Sequence, residues 1–172
     1  PKAVSFPFYL RIPSWTEGAT IFVNGKKVAA NPEAGQYACI NREWKDNDQV
    51  EIQLPMQLSM RTWQVNKNSV SVDYGPLTMS LKIDEDYVKK DSRATAIGDS
   101  KWQEGADASQ WPTYEIYAKT PWNYALVLGK NEPLQDFKVV HKEWPADNFP
   151  FTVASTPIEV KAIGRKVPSW VI

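Results

Sequence analysis

The sequence reads as an all-β chain, an antiparallel β-sandwich made of two β units packed together. Three observations carry this reading. Apolar residues recur at every second position in short runs, the period of a half-buried strand. Gly, Pro and Asn punctuate those runs at turn-like intervals, and nowhere is a convincing helical period sustained.

The first run sets Val4, Phe6, Phe8, Leu10 and Ile12 on one face, with Ser5, Tyr9 and Arg11 on the other. Pro7 lies inside it and cannot donate a ladder hydrogen bond, which places this strand at a sheet edge or gives it a bulge. Residues 19–24 form the next strand. The Asn24–Gly25 pair then predicts a tight hairpin into residues 26–29, because both residues tolerate positive φ. Residues 36–43 read as a further strand, 45–49 as a polar turn, and Val50, Ile52 and Leu54 as an alternating strand stopped by Pro55. Met56, Leu58 and Met60 open another. Val70, Val72 and Tyr74 lead through Gly75–Pro76 into Leu77, Met79, Leu81 and Ile83. Residues 1–83 are thus expected to form one sandwich.

Residues 84–111 change character. Asp84, Glu85 and Asp86 open a polar stretch with few apolar positions, read as a linker or long loop with one short helical turn. Alternation resumes at Tyr114, Ile116 and Ala118, then at Tyr124, Leu126 and Leu128, at Phe137 and Val139, and at Ile158, Val160 and Ala162. Residues 112–172 are expected to form a smaller C-terminal β domain.

Composition narrows the function. With 172 residues, 42% hydrophobic and 23% charged, the chain has an ordinary globular composition. Its 20 basic and 20 acidic side chains cancel, so no net field draws in nucleic acid or an anionic membrane. The apolar runs are far too short for a membrane-spanning helix, and no signal segment opens the chain. A strand pattern that begins almost at Pro1 leads us to expect a piece of a longer protein.

The residues that usually carry chemistry are sparse. Cys39 is the single cysteine, which excludes an intrachain disulfide or a multi-cysteine zinc site and reads as a small core residue. His141, beside Lys142 and Glu143, reads as a solvated strand-end residue, and nothing marks the Ser and Asp partners of a triad. The acidic pairs Asp46 with Asp48 and Asp84 with Asp86 lie in turn or linker segments. There carboxylates are ordinarily solvated rather than set across a cleft as a glycosidase requires. The Asp84–Asp86 cluster lacks the glycine and spaced oxygen ligands of a calcium loop. We therefore expect no catalytic residue, no metal site and no cofactor within these residues.

Eight tryptophans are many for this length. Trp102 and Trp111 lie in or beside the polar stretch; Trp44, Trp63, Trp122, Trp144 and Trp170 flank strands or turns. They read as plugs at sandwich ends and between units. The alternative is that two or three exposed rings on one surface stack on sugar.

Several spaced segments carry a resemblance. They are Phe8-Tyr9-Leu10-Arg11-Ile12-Pro13-Ser14-Trp15, Ile21-Phe22-Val23-Asn24-Gly25-Lys26, Tyr37-Ala38-Cys39-Ile40-Asn41-Arg42-Glu43-Trp44-Lys45, Val50-Glu51-Ile52-Gln53-Leu54-Pro55-Met56 and Tyr74-Gly75-Pro76-Leu77. This ordered set resembles the β-sandwich that follows the catalytic barrel in glycoside hydrolase family 127, bacterial β-L-arabinofuranosidase-like enzymes. Pro121-Trp122-Asn123-Tyr124-Ala125-Leu126 and Gly164-Arg165-Lys166-Val167-Pro168-Ser169-Trp170 resemble the β domain often appended in that group.

The resemblance implies a non-catalytic accessory region at the C-terminal end of a glycoside hydrolase. In that group the chemistry sits in an upstream (α/α)6 barrel, at a zinc-associated cysteine and glutamate site; none of those positions matches here, since Cys39 has no cysteine neighbour. The implied partner is the barrel of the same parent chain, with an arabinose-containing oligosaccharide as a further possible ligand, and the implied location is periplasmic or extracellular. Two rival readings remain, a carbohydrate-binding module and an immunoglobulin-like interaction domain.

Overall fold

The computed structural model describes residues 2–91 and 107–170. Its ordered elements are antiparallel strands in sheets of two or three, with two 3₁₀ turns as the helical elements among the described residues. A first compact unit ends at Ser80 and a second begins at Leu81.

In the first unit, β1 (Val4–Arg11) pairs along its whole length with β4 (Tyr37–Trp44). A second sheet has the order β3-β2-β5, from β2 (Thr20–Val23), β3 (Lys26–Lys27) and β5 (Val50–Gln53). The alternation predicted from the sequence sets the inward positions. Ile12, Ala38 and Ile40 from the first sheet meet Ala19, Ile21 and Val23 from the second in one buried cluster, flanked by half-buried Leu10, Val28, Val50, Ile52 and Leu54. Ile12 and Ile21 are 0% and 1% exposed, and burial of each such side chain contributes roughly 1.5–3 kcal/mol.

Pro7 opposes Asn41 in a sheet of only two strands, so β1 is the edge strand that a proline requires. The hairpin also forms as expected: Asn24 and Gly25 have φ of 51° and 74°, and Val23 pairs with Lys26. The 45–49 turn packs beside it. Asn24 Nδ2 donates to Asp48 at 2.7 Å, Lys45 N donates to Asp48 at 2.9 Å, and Gln49 N donates to Asn24 Oδ1 at 2.9 Å.

The third sheet has the order β6-β7-β8, from β6 (Leu58–Trp63), β7 (Ser69–Tyr74) and β8 (Leu77–Met79). A 3₁₀ turn at Gln64–Asn66 joins the first two, closing through Lys67 and Asn68 at positive φ. Gly75, at φ 56°, makes the corner before β8.

The second unit departs from expectation at its start. Residues 85–90, read as part of a linker, form β9 (Glu85–Lys90), paired with β10 (Thr113–Ala118) from Glu85↔Ala118 to Lys90↔Thr113. The physical reason is that this ribbon is exposed on most positions of both strands, so no buried face imposes an apolar period. The compact units also part at Ser80 and Leu81, a little before the expected boundary at 83. A short 3₁₀ turn does lie in the polar stretch, at Ala108–Gln110, with Ser109 N donating to Asp107 at 2.9 Å.

Two further pairs complete this unit: β11 (Tyr124–Leu126) with β14 (Gly164–Lys166), and β12 (Lys138–His141) with β13 (Ile158–Lys161). The two late segments of the family resemblance therefore meet in space. Val167 N donates to Asn123 O at 2.8 Å, and Asn123 Nδ2 donates to Val167 O at 3.1 Å. Among the described residues of this unit, Phe137 is the one buried apolar side chain, so its stability draws little on a central core.

Candidate functional site

A cleft of about 340 Å³ lies in the first unit, lined by Ser14, Trp15, Ser59, Arg61, Asp73, Gly75, Pro76 and Thr78. Two elements build it. The first is the β1–β2 loop, which carries Ser14 and Trp15. Thr16, buried at 1% exposure, donates to Pro55 O at 3.0 Å and so fixes that loop against the segment entering β6. The second is one face of the β6-β7-β8 sheet.

Register explains that face. Ser59 opposes Asp73, Arg61 opposes Ser71, Trp63 opposes Ser69, and Asp73 opposes Thr78 on the far side. Directly opposed residues share a face, so Ser59, Arg61, Trp63, Ser69, Ser71, Asp73 and Thr78 lie on one side. Leu58, Met60, Val70, Val72, Leu77 and Met79 take the other.

At the centre is a closed polar network. Arg61 Nε donates to Asp73 Oδ2 at 2.7 Å and Nη2 to Oδ1 at 3.0 Å, the two-pronged geometry matched to a carboxylate. Thr78 Oγ1 donates to Asp73 Oδ1 at 2.6 Å and accepts from Arg61 Nη2 at 3.1 Å. The Arg61 guanidinium also lies over the Trp63 ring, 5.0 Å from its centroid, and Trp63 Nε1 donates to Ser71 Oγ at 3.1 Å. The hydrogen bonds from Arg61 hold the Asp73 carboxyl below the usual aspartate range, with Thr78 adding in the same direction and burial opposing. The same pairing raises the Arg61 guanidinium. The pair stays ionised at neutral pH, so the cleft is polar without net charge.

Gly75 is part of the cleft lining. A Cβ there would approach Met56 Cγ at 2.7 Å and Met56 Cβ at 3.1 Å, and φ is already positive. The chain passes here because glycine alone meets both conditions cheaply.

None of the residues weighed in the sequence for catalysis or metal binding enters this cleft. Asp48 is held by the two turns, and its carboxyl is lowered chiefly by Asn24, then by Lys45 N. Asp46 is an exposed turn residue. The Asp84 backbone is tied to Thr120 Oγ1 at 2.9 Å, and Asp86 sits on β9 opposite Tyr117. His141 ends β12 opposite Ile158 and is exposed. Among the described residues no three His, Cys, Asp or Glu side chains converge as a metal site.

Cys39 corrects the sequence reading. It is exposed rather than in the core, because Ala38 and Ile40 point inward and alternation turns the residue between them outward. It lies opposite Tyr9, whose phenol is raised chiefly by a hydrogen bond with the Cys39 side chain.

The tryptophans divide between the two readings. Trp44 is half-buried, stacked on Phe6 at 5.7 Å and beneath Arg42 at 5.0 Å. Trp15 and Trp122 are also half-buried, whereas Trp63, Trp111, Trp144 and Trp170 are exposed. Trp102 lies outside the described residues. Arg61, Asp73 and Thr78 were missed in the sequence, although a signal was there: Ser59 and Arg61 flank Met60, and Ser69, Ser71 and Asp73 alternate strictly with Val70 and Val72.

Residues 1–56 match the family model described as "Beta-L-arabinofuranosidase, GH127 middle domain". No curated protein matches the chain. A solved structure described as a glycoside hydrolase is 37% identical over 45% of this chain and 13% of its own length, with a TM-score of 0.41. A GH127 β-L-arabinofuranosidase from Geobacillus stearothermophilus T6 is 20% identical over 67% of this chain and 23% of its own, with a TM-score of 0.39. The chain thus spans less than a quarter of the length of either. By the family-model match, residues 1–56 form a β-rich region related to the middle domain of the GH127 glycoside hydrolases.

Proposed function

We propose that this chain is a non-catalytic accessory β region of a β-L-arabinofuranosidase-like glycoside hydrolase, supporting a catalytic (α/α)6 barrel in the same parent protein. The observation that carries this reading is the match of residues 1–56 to the GH127 middle domain. The cleft chemistry agrees with it. Its one carboxylate, Asp73, is committed to Arg61 and Thr78, whereas glycoside hydrolysis calls for two carboxyl groups or an equivalent nucleophile and acid.

The surface supports a docking role. Val4 and Phe6 are 57% and 44% exposed, and Phe8 is exposed too, although they continue the core-facing row of Leu10 and Ile12. An apolar row of this kind is what a strand presents to a neighbouring domain. In this reading the partner surface belongs to the barrel, and the parent acts in the periplasm or outside the cell.

The test is turnover of an aryl β-L-arabinofuranoside by the 172-residue chain and by its parent protein. The reading expects hydrolysis by the parent and none by the chain alone. Hydrolysis by the chain, abolished by substitution of Asp73, would overturn it.

A further inference from the structure

We propose that the cleft between Ser14–Trp15 and the Arg61–Asp73–Thr78 network is a binding site for a neutral sugar, of mono- or disaccharide size. The proposal stands on the cleft itself rather than on the glycosidase relationship. Its volume of about 340 Å³ falls at the small end of small-molecule sites, roughly 300–1,000 Å³.

The network leaves matched hydrogen-bonding capacity. A carboxylate offers about four acceptor positions. Arg61 Nη2 and Thr78 Oγ1 occupy Oδ1, and Arg61 Nε occupies Oδ2, so Oδ2 can accept one further donor. Arg61 Nη1 makes no hydrogen bond among the described residues, and the Arg61 side chain is 53% exposed while that of Asp73 is 11% exposed. A donor and an acceptor held side by side suit adjacent sugar hydroxyls, each of which can both accept and donate. Ser14 and Ser59 add hydroxyls of either sense, and Trp15 and Pro76 supply apolar surface for ring C–H groups.

Charge selects the ligand class. Arg61 and Asp73 are the charged side chains of the lining, and they neutralise each other. A carboxylate or phosphate ligand reaching Arg61 would meet the Asp73 charge, and an ammonium reaching Asp73 would meet Arg61. An uncharged polyol meets neither penalty. The network is also preorganised: three hydrogen bonds fix the Asp73 carboxylate before any ligand arrives, which lowers the ordering cost on binding.

The experiment is an amide and indole NMR titration of the 172-residue chain with L-arabinose, D-galactose and D-galacturonate. We expect saturable shifts at the Trp15 indole and at the amides of Arg61, Asp73 and Gly75 with the neutral sugars, and weaker ones with galacturonate. Arg61→Lys, which keeps charge but loses the planar fork, should weaken binding at least about tenfold. If that variant does not fold, the Ser14→Ala/Ser59→Ala double variant should weaken it in the same sense. Absence of saturable shifts, a preference for galacturonate, or binding unchanged in the folded variants would overturn the proposal. Any of these leaves the accessory role intact, since that role is judged by turnover.

Discussion

The Asn24 side-chain amide donates to the Asp48 carboxylate at 2.7 Å, joining the tip of one turn to the middle of another. Asn24 itself lies in a hairpin whose φ values Asn, Asp and Gly adopt most readily, while Lys45 N and Arg42 reach the same carboxylate at 2.9 and 3.4 Å. Replacing Asp48 by Ala should therefore loosen both turns at once. We expect a lower urea midpoint and faster amide exchange at Asn24, Lys45 and Gln49; an unchanged exchange rate at Asn24 would argue against the shared clip.

Acid stability follows from the same carboxylate. Asp48 and Asp73 both have folded-state pKa values lowered by their partners. As pH falls, the unfolded chain takes up these protons first. The stabilisation is complete above the unfolded aspartate value, about 3.9, and is lost as pH drops through the lower folded values. Urea midpoints should thus hold steady above about pH 5 and fall below about pH 4. Asp48→Asn should flatten that fall, and an equally steep one in the variant would reject the assignment.

Gly75 and Met56 offer a coupling test. Gly75→Ala carries a left-handed backbone penalty of about 1–2 kcal/mol and also drives a Cβ toward Met56. Met56→Ala should relieve only the second part. A double-mutant cycle from denaturation should show a favourable interaction between the two changes; strict additivity would mean the backbone alone sets the cost.

In the core, Ile21 is 1% exposed within the buried cluster shared by the first two sheets. Ile21→Ala should cost about 2–5 kcal/mol. The same change at Ile163, which is 54% exposed, should leave the midpoint nearly unchanged.

The exposed row at Val4, Phe6 and Phe8 should make the isolated chain self-associate at high concentration. Sedimentation velocity should show a concentration-dependent rise in mass that Phe6→Ser with Phe8→Ser suppresses. A monomer at all concentrations would remove the support that this row gives to domain docking.

How much was legible in the sequence depended on burial. Ile21, Val23, Ala38 and Ile40 were readable because one face of each strand is buried, and period two then leaves an unmistakable mark. The Asn24–Gly25 turn was readable because its backbone demands those residues. β9 and β14 were not, since Glu85–Lys90 and Gly164–Lys166 are exposed along nearly their whole length and no buried face marks them with an apolar period. Cys39 was misjudged from its residue type, although Ala38 and Ile40 beside it already dictated its direction. Arg61 and Asp73 were passed over because charged strand residues are usually solvated; only register showed that they meet Thr78 on one face.

The pairing of β1 with β4 encloses β2 and β3 between its partners. A ribosome delivers Val4, Phe6 and Phe8 long before Trp44, and the local hairpin at Asn24–Gly25 can close in the interval. The first strand must therefore wait, its backbone edge unpaired and Leu10 and Ile12 uncovered, until its mate has left the exit tunnel. Slow or interrupted synthesis between Arg11 and Tyr37 would prolong that exposure, and non-local closure of this kind is the slow step of β folding. Yield from this chain in a cell should accordingly respond to translation speed across that interval.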